Sequence, residues 1–437
     1  MPGIKIETCM RLTGYCMRNN NVSQVLRIIS TIFLLMNAHN NATPPALLNC
    51  GNTCFLNASV QALLNIPAFT SILYGSNAST LFPLATNPTA HYFTQLVQQY
   101  LDGTHTFSCT QGPLKKLGDS AYNEFFEAQV CSQQDAGEFI IRFLDSCTSH
   151  AITDKEAVVL NSALAQLQEQ LKQNPQSVLL QQKIQQTRIK QLFHNIYVSR
   201  ISCPAHEAPT TPLLETDTAE NGPGVLTVPA LDAQQTPLTD LASCLAVYFK
   251  PELLDAYKDN SGHVRTDCIK QLFFLTTPPY LCINVNRYTY TALARQKVNH
   301  AIAIPLELDV SPWVRPLHPA LASTSSKAAS HYALSSVVVQ GGGLSGGHYW
   351  AYVKKEQVWY RCDDSTITRV GTELSADAIT EINGSPTGPT GYFFIYKRQE
   401  ALLPEKPIRN PRSSTNVLTE SLTQLTQKLS ALATTIS

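Results

Sequence analysis

Neither sign of charge dominates this sequence: thirty-two Lys and Arg residues are matched by thirty-two Asp and Glu residues over 437 positions. No basic block interrupts that balance, and phosphate binding needs a concentrated excess of Lys and Arg, so nucleic acid is excluded as the main partner. An apolar run long enough to span a bilayer is also missing. The nearest approach, Val25 to Ala38, is too short. Preceded by Arg11, Arg18 and Arg27, it reads as a surface-packed or interfacial helix, with a targeting segment as the alternative. The twelve cysteines lack tight repeated spacing, which argues against a disulfide scaffold and for an intracellular, cytoplasmic chain.

What is present centres on one stretch, Asn49-Cys50-Gly51-Asn52-Thr53-Cys54-Phe55-Leu56-Asn57. Gly51 and Asn52 form turns, Thr53 is a good N-cap, and Leu56, Val60, Leu63 and Leu64 make an apolar stripe at helical spacing that Pro67 stops. Cys54 therefore opens a helix. There the positive end of the macrodipole and the unpaired amide hydrogens favour thiolate over thiol, so a lowered pKa and a nucleophilic sulfur are expected. Asn49, across the turn, is a candidate oxyanion donor beside the backbone N–H of Cys54. A buried structural cysteine is the alternative reading.

A second constellation lies near the end of the chain. Gly347-His348-Tyr349-Trp350-Ala351-Tyr352-Val353 and Val358-Trp359-Tyr360-Arg361-Cys362-Asp363-Asp364 flank a short charged turn and predict a hairpin. A turn centred between Lys355 and Glu356 sets His348 directly opposite Asp363, with Cβ atoms about 5 Å apart; a one-residue bulge presents Asp364 instead. Such a carboxylate holds the imidazole in one tautomer and leaves its other nitrogen for the thiol.

Residues 1–43 read as an extension carrying the short apolar segment. An α-rich half follows, in which Asp135 and Glu138 share the first turn of an amphipathic helix, where carboxylates suit the dipole. From about 154 to 188 the Leu and Gln pattern, broken at Asn174-Pro175, predicts a helical hairpin insertion. Beyond Phe193 the pattern turns to β. The tail, 399–437, ends in Leu418, Leu422, Leu425, Leu429, Leu432 and Ile436, an amphipathic helix that docks on the protein itself or on a helical partner.

Together the Cys54 stretch, the Gly347-His348-Tyr349 hairpin, Gln133-Gln134-Asp135 with Glu138-Phe139, and the terminal Gly391 to Tyr396 resemble, in order, the boxes of the ubiquitin-specific proteases, papain-like cysteine deubiquitinases. The resemblance covers about 44–398. It implies an α+β fold with an α-rich thumb carrying Cys54, a β-rich palm carrying His348 and Asp363, and β fingers, plus the inserted hairpin. It further implies hydrolysis of isopeptide or peptide bonds after the C-terminal glycine of ubiquitin, through a thioester at Cys54. Asn49 would polarise the oxyanion, and Asp135 and Glu138 would meet arginines of the ubiquitin tail, which would run past Gly346, Gly347 and Tyr349.

Two departures stand out. The family's fingers often hold zinc through two CxxC pairs, but here the first is Cys203-Pro204-Ala205-His206 and the second is missing. Even with His263 that makes three ligands where a structural zinc takes four, so neither a metal nor a cofactor is expected. Gln340 stands where many members carry a histidine. The helical insertion and low charge suggest a divergent member, with a bacterial effector acting in host cytoplasm as one origin. A catalytically weak ubiquitin-binding scaffold and a protease for another modifier such as SUMO or NEDD8 are the competing readings.

Overall fold

The computed structural model describes residues 43–126, 132–151, 160–204, 214–259, 262–290, 295–315, 330–343 and 347–399. The expected N-terminal apolar segment, the C-terminal amphipathic helix, His206 and Gly346 lie outside the described residues. No single helix among the described residues is long and apolar enough to cross a membrane.

Helix α1 (Cys54–Leu64) is buried along its whole length. That follows from its composition, since only Asn57, Ser59 and Gln61 interrupt an otherwise apolar surface and each bonds inward, as Ser59 Oγ does to the Phe55 carbonyl at 2.7 Å. Around it stand helices Pro67–Tyr74, Pro88–Leu101 and Gly112–Ala121, and then α2 (Ala136–Ser146). Their contacts are aromatic. Phe55 meets Tyr122, Phe126 and Phe139 edge to face, while Phe69, Phe93, Phe143 and Phe193 interlock with centroid separations of 4.8 to 6.4 Å. Rings in such edge-on arrays add stability beyond the area they bury.

The large sheet contains eight strands, labelled β1 to β8 in chain order: Val225–Pro229, Tyr280–Asn286, Glu307–Asp309, His331–Gly342, Gly347–Lys355, Val358–Asp363, Thr366–Gly371 and Thr390–Arg398. Their spatial order is β7-β6-β5-β4-β8-β2-β1, with β3 also pairing β4. Both faces are covered, and the strand period of two divides them. Phe393 and Ile395 of β8, with Tyr349 and Ala351 of β5, join the core that contains α1. Phe394, Tyr396, Trp350 and Tyr352 join a second core on the opposite face. One sheet thus carries α1 on its back, which fixes Cys54 against β5.

A separate four-stranded sheet runs in the order Leu214–Asn221, Ile196–Cys203, Cys268–Thr276, Glu252–Leu254. The mixed helix and sheet content agrees with the α+β expectation. In the inserted region, helices α3 (Leu160–Gln173) and α4 (Val178–Phe193) share a small core of Ala163, Leu167 and Ile184. The second helix outlasts the expected end at 188, because its last turns are buried: Ile189, Lys190 and Phe193 pack into the helical body.

The cysteines require a correction. Two pairs are disulfide-bonded, Cys50 to Cys109 and Cys203 to Cys268, where the cysteine spacing argued against a disulfide scaffold. The cause is register. Strands Ala46–Leu47 and Thr106–Phe107 pair in parallel and bring 50 beside 109, and antiparallel pairing of Ser202 with Ile269 sets Cys203 opposite Cys268. Spacing along the chain carries no trace of either pairing.

Candidate active site

Gly51, at φ +96°, makes the turn that precedes α1. Thr53 occupies the N-cap position but does not cap with its side chain. Its hydroxyl instead accepts the Cys50 N–H at 3.1 Å and donates to Asn49 Oδ1 at 3.0 Å, closing the loop on itself.

Cys54 is 3% exposed. Its sulfur receives the Gln133 carboxamide, Nε2 to Sγ 3.6 Å, together with the backbone N–H groups of Tyr349 and Phe55. Burial nevertheless pushes the thiol above its ordinary value, more than the Tyr349 and Gln133 donors pull it down. This corrects the expected lowering: the helix start is where the sequence placed it, but removal from water outweighs the donors.

His348 sits on β5, one residue before the amide that touches the sulfur. Its Nε2 bonds Asp363 Oδ1 at 2.5 Å, which leaves Nδ1 as the nitrogen available for a thiol proton. The hairpin register differs from the expected one. Pairs Val353 with Tyr360 and Lys355 with Val358 centre the turn between Glu356 and Gln357, both at positive φ (49° and 70°), as a two-residue hairpin loop prefers. The shift is two residues, so every side chain keeps its face, and Asp363 reaches His348 diagonally rather than from directly opposite. Asp363 Oδ2 also accepts from Arg361 Nη1 at 2.7 Å, and Arg361 lies over the Trp350 ring at 4.7 Å. Burial raises Asp363, but the bonds from His348 and Arg361 together hold its carboxyl below the usual range.

Asp364 has a different task. At φ +52° it turns its carboxylate toward α1, where Oδ2 accepts from Asn49 Nδ2 and Oδ1 from Asn57 Nδ2, both at 2.8 Å. Its carbonyl accepts the Leu47 N–H at 3.1 Å. Asn49, the expected oxyanion donor, thus gives one of its two carboxamide hydrogens to Asp364, and its oxygen accepts from Thr53.

Asp135 caps α2, accepting the Glu138 N–H at 2.9 Å, and takes the Tyr392 hydroxyl on its other oxygen. Burial raises its carboxyl despite those donors. Glu138 is exposed and pairs with Arg142 at 2.8 Å. Gly347 pairs with Gly342, and a Cβ there would lie 2.7 Å from the Gly341 carbonyl. Tyr349, expected on the substrate side, is 2% exposed with its ring packed near Tyr392, so it serves the site through its backbone. Cys203, the sequence candidate for a zinc ligand, is bonded to Cys268.

Three residues escaped the sequence reading. Gln133 touches the sulfur, Asn57 holds Asp364, and Arg361 holds Asp363. Asn57 left a signal, a polar residue three places after Cys54 on a buried face; Gln133 stood in the Gln133-Gln134-Asp135 match, which gave it no role of its own.

Comparison with known proteins places this geometry. The family model described as ubiquitin carboxyl-terminal hydrolase matches residues 46–396. The chain is 24% identical over 375 residues to ubiquitin carboxyl-terminal hydrolase 22-A of Xenopus laevis, covering 81% of this chain and 66% of that protein. It is 26% identical over 380 residues to ubiquitin carboxyl-terminal hydrolase 27 of Homo sapiens, covering 81% and 78%. Against ubiquitin carboxyl-terminal hydrolase 51 of Mus musculus the values are 25% over 379 residues, 81% and 51%, so the chain spans between about half and three quarters of these relatives. Among solved structures, the SAGA DUB module of Ubp8, Sgf11, Sus1 and Sgf73 bound to monoubiquitin matches with a TM-score of 0.55 at 18% identity, over 82% of this chain and 69% of that one.

Proposed function

The chain belongs to the ubiquitin carboxyl-terminal hydrolase family, and from that premise we propose that it is a thiol-dependent deubiquitinase that cleaves the bond after the C-terminal glycine of ubiquitin. The observation that carries the reading is the His348–Asp363 bond on the strand whose next amide, that of Tyr349, donates to Cys54 Sγ. Base and nucleophile stand on neighbouring backbone.

In the proposed reaction His348 Nδ1 takes the thiol proton while Asp363 steadies the imidazolium. The sulfur attacks the glycine carbonyl, and the leaving amine takes the proton back from His348 as the thioester forms. Water, deprotonated by the same imidazole, then releases ubiquitin and restores the thiol. Asp135 and Glu138 supply carboxylates for arginines of the incoming tail, for which a planar guanidinium is the natural partner. Thiolate chemistry on conjugated ubiquitin favours an intracellular, cytoplasmic setting.

Release of a fluorogenic amide from the ubiquitin C-terminus tests the reading: turnover by the wild type, lost in Cys54→Ala and His348→Ala, is expected. Binding of ubiquitin without turnover indicates a scaffold, and turnover only of another modifier's amide moves the substrate to that modifier.

A further inference from the structure

Gln133 is the one described side chain whose polar head rests on the candidate nucleophile, at 3.6 Å from Nε2 to Sγ. Its neighbours show that this pose is built. On one side the fully buried Tyr122 donates its hydroxyl to the Ser132 carbonyl at 2.7 Å. On the other, Asp135 caps α2 and receives the Tyr392 hydroxyl. The adjacent Gln134 is turned away, its Nε2 on Ser132 Oγ at 2.7 Å, so of two consecutive glutamines one alone faces the sulfur.

The other carboxamide near the candidate nucleophile is held in place, with one of its two N–H hydrogens and its oxygen committed. Asn49 donates to Asp364 at 2.8 Å and accepts from Thr53 at 3.0 and 3.2 Å, and Asp364 is held in turn by Asn57. Asn49 can offer an oxyanion only its second N–H hydrogen, and only in the orientation that the Asp364 and Thr53 bonds set. Among the described residues, Gln133 swings away at the cost of its contact with the sulfur alone.

We infer that Gln133 is a catalytic residue of the hydrolysis proposed above, donating first to the Cys54 thiolate and then, with the same hydrogen, to the oxyanion. The electron flow makes one donor sufficient for both. The thiol proton leaves to His348 Nδ1 and the charge sits on sulfur. In the attack a sulfur electron pair forms the bond to carbon, the carbonyl π pair moves to oxygen, and the charge shifts to an atom two bonds from the sulfur. A flexible carboxamide resting against the sulfur follows it, and a neutral amide does so without placing an anion beside either.

The test uses the full chain with Gln133→Ala and the near-isosteric Gln133→Glu. Two readouts are compared with wild type: the pH dependence of Cys54 alkylation by iodoacetamide, followed by mass spectrometry, and kcat and KM on the ubiquitin C-terminal amide. The midpoint of alkylation is expected to move up by about one pH unit in Gln133→Ala, the size of one charge-assisted hydrogen bond, and further in Gln133→Glu. The kcat should fall by roughly a hundredfold in both, with KM changed by less than about threefold. Should Gln133→Ala fail to fold, Gln133→Glu carries the test. Superimposed alkylation profiles, or a loss confined to KM, would overturn the inference. If the wild type is alkylated but cleaves no ubiquitin amide, the deubiquitinase reading fails on its own, and the alkylation midpoint alone then decides the role of Gln133.

Discussion

Asp364 accepts a 2.8 Å hydrogen bond from Asn49, 315 positions earlier in the chain, and so ties the loop before Cys54 to the strand that ends at Asp363. Asn57 completes the tie from the first turn of α1. The two adjacent aspartates therefore divide the work: Asp363 faces the imidazole, and Asp364 holds the Cys54 loop against the sheet.

That division predicts different phenotypes for neighbouring substitutions. Asp363→Asn should leave the fold intact and lower kcat by about a hundredfold or more, since the imidazole loses the group that fixes its tautomer. Asp364→Ala should lower stability as well, by about 1–3 kcal/mol, because the Asn49 and Asn57 amides lose their acceptor in a half-buried site. Thermal melts beside steady-state kinetics separate the two. Equal melting temperatures for both variants would contradict the assignment.

The Asp363 carboxyl is held below its ordinary value by His348 and Arg361 against the opposing effect of burial. A group whose folded pKa is depressed contributes stability that is present above its unfolded value and lost as pH falls through the folded one. Acid titration of the wild type should therefore show a loss of stability below the ordinary carboxylate range that is absent from Asp363→Asn. Urea midpoints measured across that range check it, and parallel curves would contradict it.

Asp135 has the opposite sign. Burial raises its carboxyl, so the folded state holds the proton more tightly and the ionised group costs stability once pH exceeds its ordinary value. Asp135→Asn should retain the helix cap, because asparagine caps as well as aspartate, and should raise the melting temperature at neutral pH. The same change should raise KM for a ubiquitin substrate by about tenfold or more, as a carboxylate partner for arginine is lost. A lower melting temperature with unchanged KM would contradict both halves.

The burial that raises Cys54 predicts the behaviour of the free protein. Its reaction with iodoacetamide should keep rising with pH through the neutral range rather than level off in acid, since the thiolate fraction is still growing there. A plateau beginning in acid would mean that an ion pair with His348 forms without substrate.

Much of the site was legible because it lies in short local patterns. The helix start at Cys54, the acidic start of the helix at Asp135 and Glu138, and the hairpin bearing His348 each announce themselves within a dozen residues, although Asp135 proves to be the N-cap and not part of the first turn. The hairpin register was misplaced by two because the turn residues, Glu356 and Gln357, are not the glycine and asparagine that usually mark positive φ; the strand period of two spared the faces. Properties that depend on distant chain segments were hidden. The disulfide pairings, the burial that overrides the helix dipole at Cys54, and the approach of Gln133 to the sulfur all arise from packing between segments at least 59 residues apart.

The most direct measurement is the reaction of the full chain with ubiquitin carrying a C-terminal electrophile, followed by mass mapping of the modified residue. One adduct, located on Cys54, absent from Cys54→Ala and strongly slowed in His348→Ala, is the expected result. An adduct that persists in Cys54→Ala, or a wild type that binds the probe and never reacts, would contradict the assignment of the nucleophile.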